Sequence, residues 1–385
     1  MRPARSMLVL FALIVRGLAP GLPAARADEL PVDMKAIKSR IAEFKGKRLV
    51  LNGPVTLDAA TAKALAAFQG EWLGLSDLRT LDAETAQALA GCDSMRLDLS
   101  GLQKLDAATA RPLAGFRGQM LVLNGLMTLD PETAAALAEY GGQSLQLSGL
   151  KSLDADAAKA LVKSKAWDGN LPRLSTLDAP TAASLAEFQG NHLMFVDLTT
   201  LDADTAGALS RFKGGLFLQG LTSLDAATAR ALVAKFKGHH LIMGSLTSLD
   251  AATAQALGEY EGMFGLDEEL LAKLVADHPL DPQTALVYAR LANGELAFVT
   301  AFDSPDSVEI AKALATRKGR LSLPNLKKIS PKTLTALIVK QAVEIPLIET
   351  LELIPEPDGS PTDDFVVPQW LEDRQKQQQA KQPDE

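Results

Sequence analysis

Nine aspartates recur along the chain at near-constant spacing. Asp58, Asp82, Asp106, Asp130, Asp154, Asp178, Asp202, Asp225 and Asp250 lie 24 residues apart six times, then 23, then 25. A carboxylate row invites comparison with a calcium ladder. Calcium, however, takes six to eight oxygens converging at about 2.5 Å, and one carboxylate per repeat leaves neighbours roughly 5 Å apart at strand spacing. The row therefore reads as helix N-caps. The four histidines are His192, His239, His240 and His278. His192 and His240 precede strand leucines two repeats apart, roughly 10 Å, which is too far for one simple metal site. Cys92, the single cysteine, occupies the slot filled by Phe68 and Phe116 in neighbouring repeats. It reads as a small buried hydrophobe, and no disulfide can form within the chain. Asp98 and Asp168 are expected to face outward, isolated from each other. No Ser-His-Asp order, phosphate-cradling glycine loop or paired-histidine motif occurs. The chemistry-bearing residues thus predict no catalytic residues, no metal and no cofactor, and a chain that is not an enzyme.

What must position these residues is a repeating unit, seen clearly in Leu121 to Gly142, LVLNGLMTLDPETAAALAEYGG. A fixed period of this size means a solenoid. Leu97 and Leu99 point to one face of a short strand, with the intervening residue on the other. Leu102 and Leu105 extend the buried edge through a turn. Asp106 caps a helix whose Ala110, Leu113 and Phe116 line one face, and Thr109 can bond back toward the cap. Pro131 follows Asp130, at the helix position where proline fits best. Gly118 is expected as a left-handed helix stop, as are Gly70, Gly142, Gly190, Gly214, Gly238 and Gly262. A single unit cannot bury enough apolar surface to order itself, so neighbours must stack. Strands joined through helices pair in parallel with right-handed crossovers. The expected fold is α/β, a right-handed βα solenoid with a parallel sheet on one face and helices on the other.

The pattern LxLxxLxxLD followed by xxTAxALAxF, as in Leu216, Leu218, Leu221, Leu224, Asp225, Thr228, Ala229, Leu232 and Phe236, resembles the leucine-rich repeat family. It is most similar to the helix-bearing, ribonuclease-inhibitor-like subtype. The resemblance covers roughly residues 28 to 355 and implies a strand–helix coil. It departs after the strand, where the family carries asparagine and this chain carries Leu78, Leu102, Leu126 and Leu150.

In chain order, residues 1–27 read as a signal peptide. Arg2 and Arg5 are basic, Met7 to Val15 is apolar, and Ala25-Arg26-Ala27 is a cleavage site. The apolar run is too short for a membrane span. Residues 28–46 are expected as an N-terminal capping helix through Ile37, Ile41 and Phe44. Regular repeats occupy 47–262, with an irregular strand at Trp167, Gly169 and Pro172 where a bulge is expected. Residues 263–355 read as degenerate repeats with an insertion, ending in a strand over Ile345 to Ile354. In them a helix starts at Ser307, with serine in place of the aspartate. Residues 356–385 read as a disordered tail, with Phe365, Val366, Val367 and Trp370 able to fold back as a cap. The net charge of −8 argues against nucleic acid. Export without disulfides suits a secreted or periplasmic cell-envelope location.

The outward strand positions are the expected binding surface: Trp72, Arg96, Asp98, Met120, Asn124, Gln146, His192, Met194, Phe217, Gln219 and His240. Trp72, His192 and Phe217 are its expected anchors. The function expected is an exported leucine-rich-repeat-like interaction scaffold binding a protein or cell-surface polymer along this face. The alternatives are a structural envelope component without a discrete ligand and, more weakly, a polymer-cleaving solenoid enzyme.

Overall fold

The computed structural model describes residues 28–29, 46–51, 53, 56–277, 280–282, 284–317, 319–340, 342–359 and 368–379. The expected leader, most of the expected N-terminal capping helix, His278 and Phe365 to Val367 lie outside the described residues. Asp28–Glu29 forms a short strand, β1, parallel to β2 (Arg48–Val50).

Each regular unit folds as its pattern dictates. In the unit from Leu97, the leucines on both sides of Asp98 are fully buried, and the helix that follows begins at an extended aspartate. The strands are β3 (Trp72–Gly74), β4 (Arg96–Asp98), β5 (Met120–Val122), β6 (Ser144–Gln146), β7 (His192–Phe195), β8 (Gly215–Leu218), β9 (His240–Ile242) and β10 (Met263–Gly265). The helices are α1 (Ala59–Leu65), α2 (Ala83–Ala90), α3 (Ala107–Ala114), α4 (Pro131–Ala138), α5 (Ala155–Leu161), α6 (Ala179–Leu185), α7 (Ala203–Leu209), α8 (Ala226–Val233) and α9 (Ala251–Leu257). Every strand pair is parallel, and successive helices pack on one another, so the chain is a solenoid of βα units.

All nine row aspartates cap helices. Each accepts a backbone N–H three residues on, from Thr61 onto Asp58 at 2.6 Å through Thr253 onto Asp250 at 2.7 Å, with Ala157 as donor for Asp154. The threonine hydroxyl adds to this, as in Thr133, which donates to Asp130 Oδ2 at 2.6 Å. The hydroxyls of Thr85 and Thr181 also lie 3.4 and 3.5 Å from the carbonyls of Leu57 and Leu153 in the preceding unit. Buried Thr85, Thr133 and Thr181 therefore link turn to turn.

The expected left-handed glycine stops are not formed. Among the described glycines only Gly53, Gly169, Gly294, Gly319 and Gly359 have positive φ. The helix α3 ends at Gly115 in right-handed geometry. Gly118 instead sits where the next turn of chain touches its neighbour: an added Cβ would lie 2.3 Å from the Phe116 ring and 2.4 Å from Ser94 O.

The sheet is interrupted where the irregular strand was expected. β1 to β6 form one six-stranded sheet and β7 to β10 a second of four strands, joined only by single bridges, Leu145 to Trp167 and Asn170 to Met194. The inward residues there are Trp167 and Leu171, four apart rather than two, with Gly169 at φ 76° between them. The helix-face slot that holds Phe116, Tyr140, Phe188 and Phe212 in other units holds Ser164 in this one. Trp167 fills that space, 4.6 Å from the Phe188 ring centroid.

The regular register runs slightly past its expected end, since β10 pairs with β9. The inserted helix is α10 (Glu268–Asp277). Asn293 then substitutes for the missing next strand, its Oδ1 accepting from Phe264 N at 2.7 Å and its Nδ2 donating to Phe264 O. Units resume through α11 (Ala285–Leu291), β11 (Ala301–Phe302), α12 (Ser307–Ala315), β12 (Leu321–Ser322), β13 (Lys328–Ile329), α13 (Pro331–Ile338), β14 (Val343–Glu344) and β15 (Glu352–Leu353). Three expectations change in this region. Ser307 is the first residue of α12 and accepts from Ser304 N at 3.1 Å rather than capping as aspartate does. Ile345 to Ile354 is not one strand, because a 3-10 turn at Ile348–Thr350 splits it. The segment read as a disordered tail contains α14 (Gln369–Gln379), whose Leu371 is 1% exposed in the core, with Trp370 packed beside it.

Candidate binding surface

Parallel register turns single residues into rows. Arg48, Trp72, Arg96, Met120 and Ser144 stand opposite one another across β2 to β6, beside a second row of Val50, Gly74, Asp98, Val122 and Gln146. Two arginines from flanking strands stack on one indole. The Arg48 guanidinium lies 3.8 Å from the Trp72 ring centroid and that of Arg96 4.4 Å. Such contacts draw the cation to the ring's electron-rich face. Arg96 also donates to Asp98 at 3.1 Å, and Asp98 accepts from Ser100 N at 3.1 Å and Ser100 Oγ at 2.6 Å. Asp98 is thus buried and engaged, not an isolated outward carboxylate. Its expected role as a contact residue gives way to one of holding Arg96 against the indole.

At the sheet interruption Asp168 and His192 come into electrostatic contact, which corrects the expectation that Asp168 stands alone. Burial pushes the Asp168 carboxyl above its ordinary range, opposed by hydrogen bonds from Asn170 and by His192. Burial pushes the His192 imidazole down, opposed by Asp168. A ring nitrogen of His192, Nε2, lies 3.1 Å from Asn170 Oδ1, and the ring meets Phe217 edge-on at 5.8 Å. Phe217 and Met194, expected as outward contacts, are 8% and 7% exposed. In β8, Gly215 stands between His192 and His240, and the Phe217 ring lies 3.2 Å from where its Cβ would be. His240 remains half-buried, one strand from exposed Met263.

Asn124 and Gln219 lie just past the ends of β5 and β8, on the turn edge rather than the strand face. Asn124 Oδ1 accepts from Ser148 N at 3.0 Å, and its amide reaches Gln146 Oε1 at 3.5 Å. Along that edge runs a groove of about 580 Å³ lined by Arg79, Ser100, Gly101, Gln103, Asn124, Gly125, Met127, Ser148, Gly149, Lys151, Pro172, Arg173, Val196 and Asp197. Its floor is bare for a reason: a Cβ on Gly101, Gly125 or Gly149 would lie 2.4, 2.0 or 1.9 Å from a carbonyl oxygen of the preceding turn.

The structure therefore gathers Trp72, Arg96, Asp98 and Met120 in one patch and His192, Met194, Phe217 and His240 in another, with Gln146 beside the break. Sequence reasoning missed Arg48, Asn170 and the groove cations. Arg48 was recoverable, since it stands one period before Trp72. The groove was not, because at the turn position that holds Arg79 and Lys151 the intervening units carry Gln103 and Met127, which hides the row. Among the described residues no group of three or more His, Cys, Asp or Glu is placed to hold a metal ion, and no helix is long and apolar enough to cross a membrane.

No family model matches the chain, and no curated protein matches it. Among solved structures it is similar to the crystal structure of an internalin, InlF, from Listeria monocytogenes. The identity is 14%, over 88% of this chain and 90% of that one, with a TM-score of 0.35. The solenoid assignment rests on this chain's own parallel register and repeated caps.

Proposed function

We propose that this chain is an exported interaction scaffold that binds a protein or cell-surface polymer along its strand face. The observation that supports it is the Arg48–Trp72–Arg96 stack, steadied by Asp98. Tryptophan and arginine dominate contact energies, and side chains already held in place lose little entropy on binding. Outward rows in fixed register let a partner touch several units at once, so modest contacts sum.

The test uses the immobilised full chain to capture protein and polymer from cell-envelope fractions of the source organism. Trp72→Ala is expected to reduce the retained species by roughly thirtyfold, the loss of about 2 kcal/mol typical of a binding hot spot. Recovery equal to that of the unaltered chain would refute the strand-face site. Export is tested separately: the N-terminus of protein recovered outside the cytoplasm is expected at Asp28, and an intact Met1 there would refute it.

A further inference from the structure

We infer that the turn-edge groove is a second binding site, and that it takes an extended peptide bearing two acidic side chains four residues apart. This is distinct from the strand-face reading and stands or falls separately from it.

The first support is shape. The groove runs along the stack from Arg79 to Asp197, across consecutive units, so at about 4.8 Å per unit it is on the order of 20–24 Å long. An extended chain at roughly 3.3 Å per residue would fill it with about seven residues. At Gly101, Gly125 and Gly149 the floor is bare, because a Cβ at any of these three would meet a carbonyl oxygen of the preceding turn.

The second support is charge. The protein carries net charge −8, yet the groove is lined by Arg79, Lys151 and Arg173 against a single carboxylate, Asp197. Ion pairs form elsewhere, as between Lys47 and Glu71, Lys63 and Glu84, and Lys328 and Glu352, and none of them draws on a groove cation. Arg79 donates only to a backbone carbonyl, that of Gly101 at 3.4 Å, and no ion pair involves Arg79, Lys151 or Arg173 among the described residues.

The third support is position. Arg173 occupies the register place of Gly101, Gly125 and Gly149, a cation where neighbouring units have none, and it lies in the unit distorted by the Trp167–Asn170 bulge. Arg79 and Lys151 belong to units three apart, roughly 14 Å along the stack. That matches the roughly 13 Å between side chains four residues apart on an extended peptide. Asp197 closes the far end and favours a peptide amino group or basic residue there. Three cations are too few for nucleic acid, whose phosphates need a longer basic stripe.

The test measures fluorescence anisotropy at low ionic strength with the full chain. The probe is a labelled, β-branched decapeptide carrying glutamates four residues apart. Binding is expected to be at least tenfold tighter than to the same peptide with glutamine in place of glutamate, and to weaken with added salt. Lys151→Glu combined with Arg173→Glu is expected to weaken it at least tenfold, with circular dichroism unchanged because both side chains are exposed. Trp72→Ala is expected to leave it unaltered, which separates this site from the strand face. Equal affinity for the glutamine peptide, or no loss in the charge-reversed variant, would overturn the proposal. So would tighter binding of linear polyphosphate of the same charge, which would mark the groove as a general polyanion site.

Discussion

At the scale of single residues, two glycines of the same type face opposite constraints. Gly118 is bounded by the Phe116 ring and Ser94 O, each under 2.5 Å from where a Cβ would be. Gly207 lies inside α7, and an added Cβ would meet only Ala231 Cβ, at 3.9 Å. Gly118→Ala should therefore destabilise the protein by about 2 kcal/mol, as overpacking in a close-packed site does. Gly207→Ala should stabilise it by roughly 0.5–1 kcal/mol, the helix penalty of glycine. Gly141→Ala, with nothing within 4 Å, serves as the near-neutral control. Urea midpoints of the three variants check this, and a stabilising Gly118→Ala would contradict the contact. The same residues show where reading a sequence reaches its limit. Glycine at the end of each helical run signals a left-handed stop when only the local chain is considered. Its actual constraint comes from the ring two residues earlier and the turn of chain one period before, neither of which local spacing reveals.

At the scale of elements, the chain's most informative irregularity is the unit containing Trp167. The pattern Trp167, Gly169, Pro172 was enough to expect a bulge. What it did not disclose is the trade that causes it. Ser164 stands in the aromatic slot, accepting from Ala166 N at 3.3 Å and Trp167 N at 3.2 Å, and so turns the chain to drop the Trp167 ring into the space it leaves. Ring volume is conserved while the strand register is not. Trp167→Ala should then cost about 3–5 kcal/mol, as large-to-small core changes do. Ser164→Phe alone should also destabilise, through collision with the indole and loss of both hydrogen bonds. Combined, the two changes should cost less than their sum, by on the order of 1 kcal/mol or more, because the new ring enters the vacated space. Thermal denaturation of the four members of this cycle measures the coupling, and strict additivity would show that the two residues do not share the slot. The strand and helix sequence, the caps and the core leucines were legible because each is set by local spacing. The placement of Asp98, Met194 and Phe217 was not, since burial of an outward residue depends on what the adjacent strands carry.

At the scale of the whole molecule, the repeated cap makes stability a property summed over units, and acid acts on every unit at once. Hydrogen bonds from the threonine backbone N–H three residues on hold Asp82, Asp106, Asp202 and Asp250 below the ordinary aspartate value. The backbone N–H of Thr228 does so for Asp225. For Asp130 and Asp178 the hydroxyl contributes most and the backbone N–H next. A carboxylate whose folded pKa is depressed stabilises the fold fully above its unfolded value, about 3.9, and loses that contribution as pH falls through the folded value. Seven such groups change protonation in the same direction, and a solenoid transmits the loss between neighbours because each unit is held by the next. The melting temperature should accordingly be nearly flat from pH 7 to 5 and fall steeply below about pH 4. Because hydrogen bonds rather than distant charges cause the shifts, moderate salt should not remove the slope. Asparagine caps helices about as well as aspartate but does not titrate in this range. Replacing Asp106, Asp130, Asp178 and Asp202 together by asparagine should leave stability at neutral pH within a few kcal/mol, by about 1 kcal/mol per cap at most, and flatten the acid limb. An acid limb as steep in that variant as in the unaltered chain would mean that other groups, and not the cap row, govern unfolding at low pH.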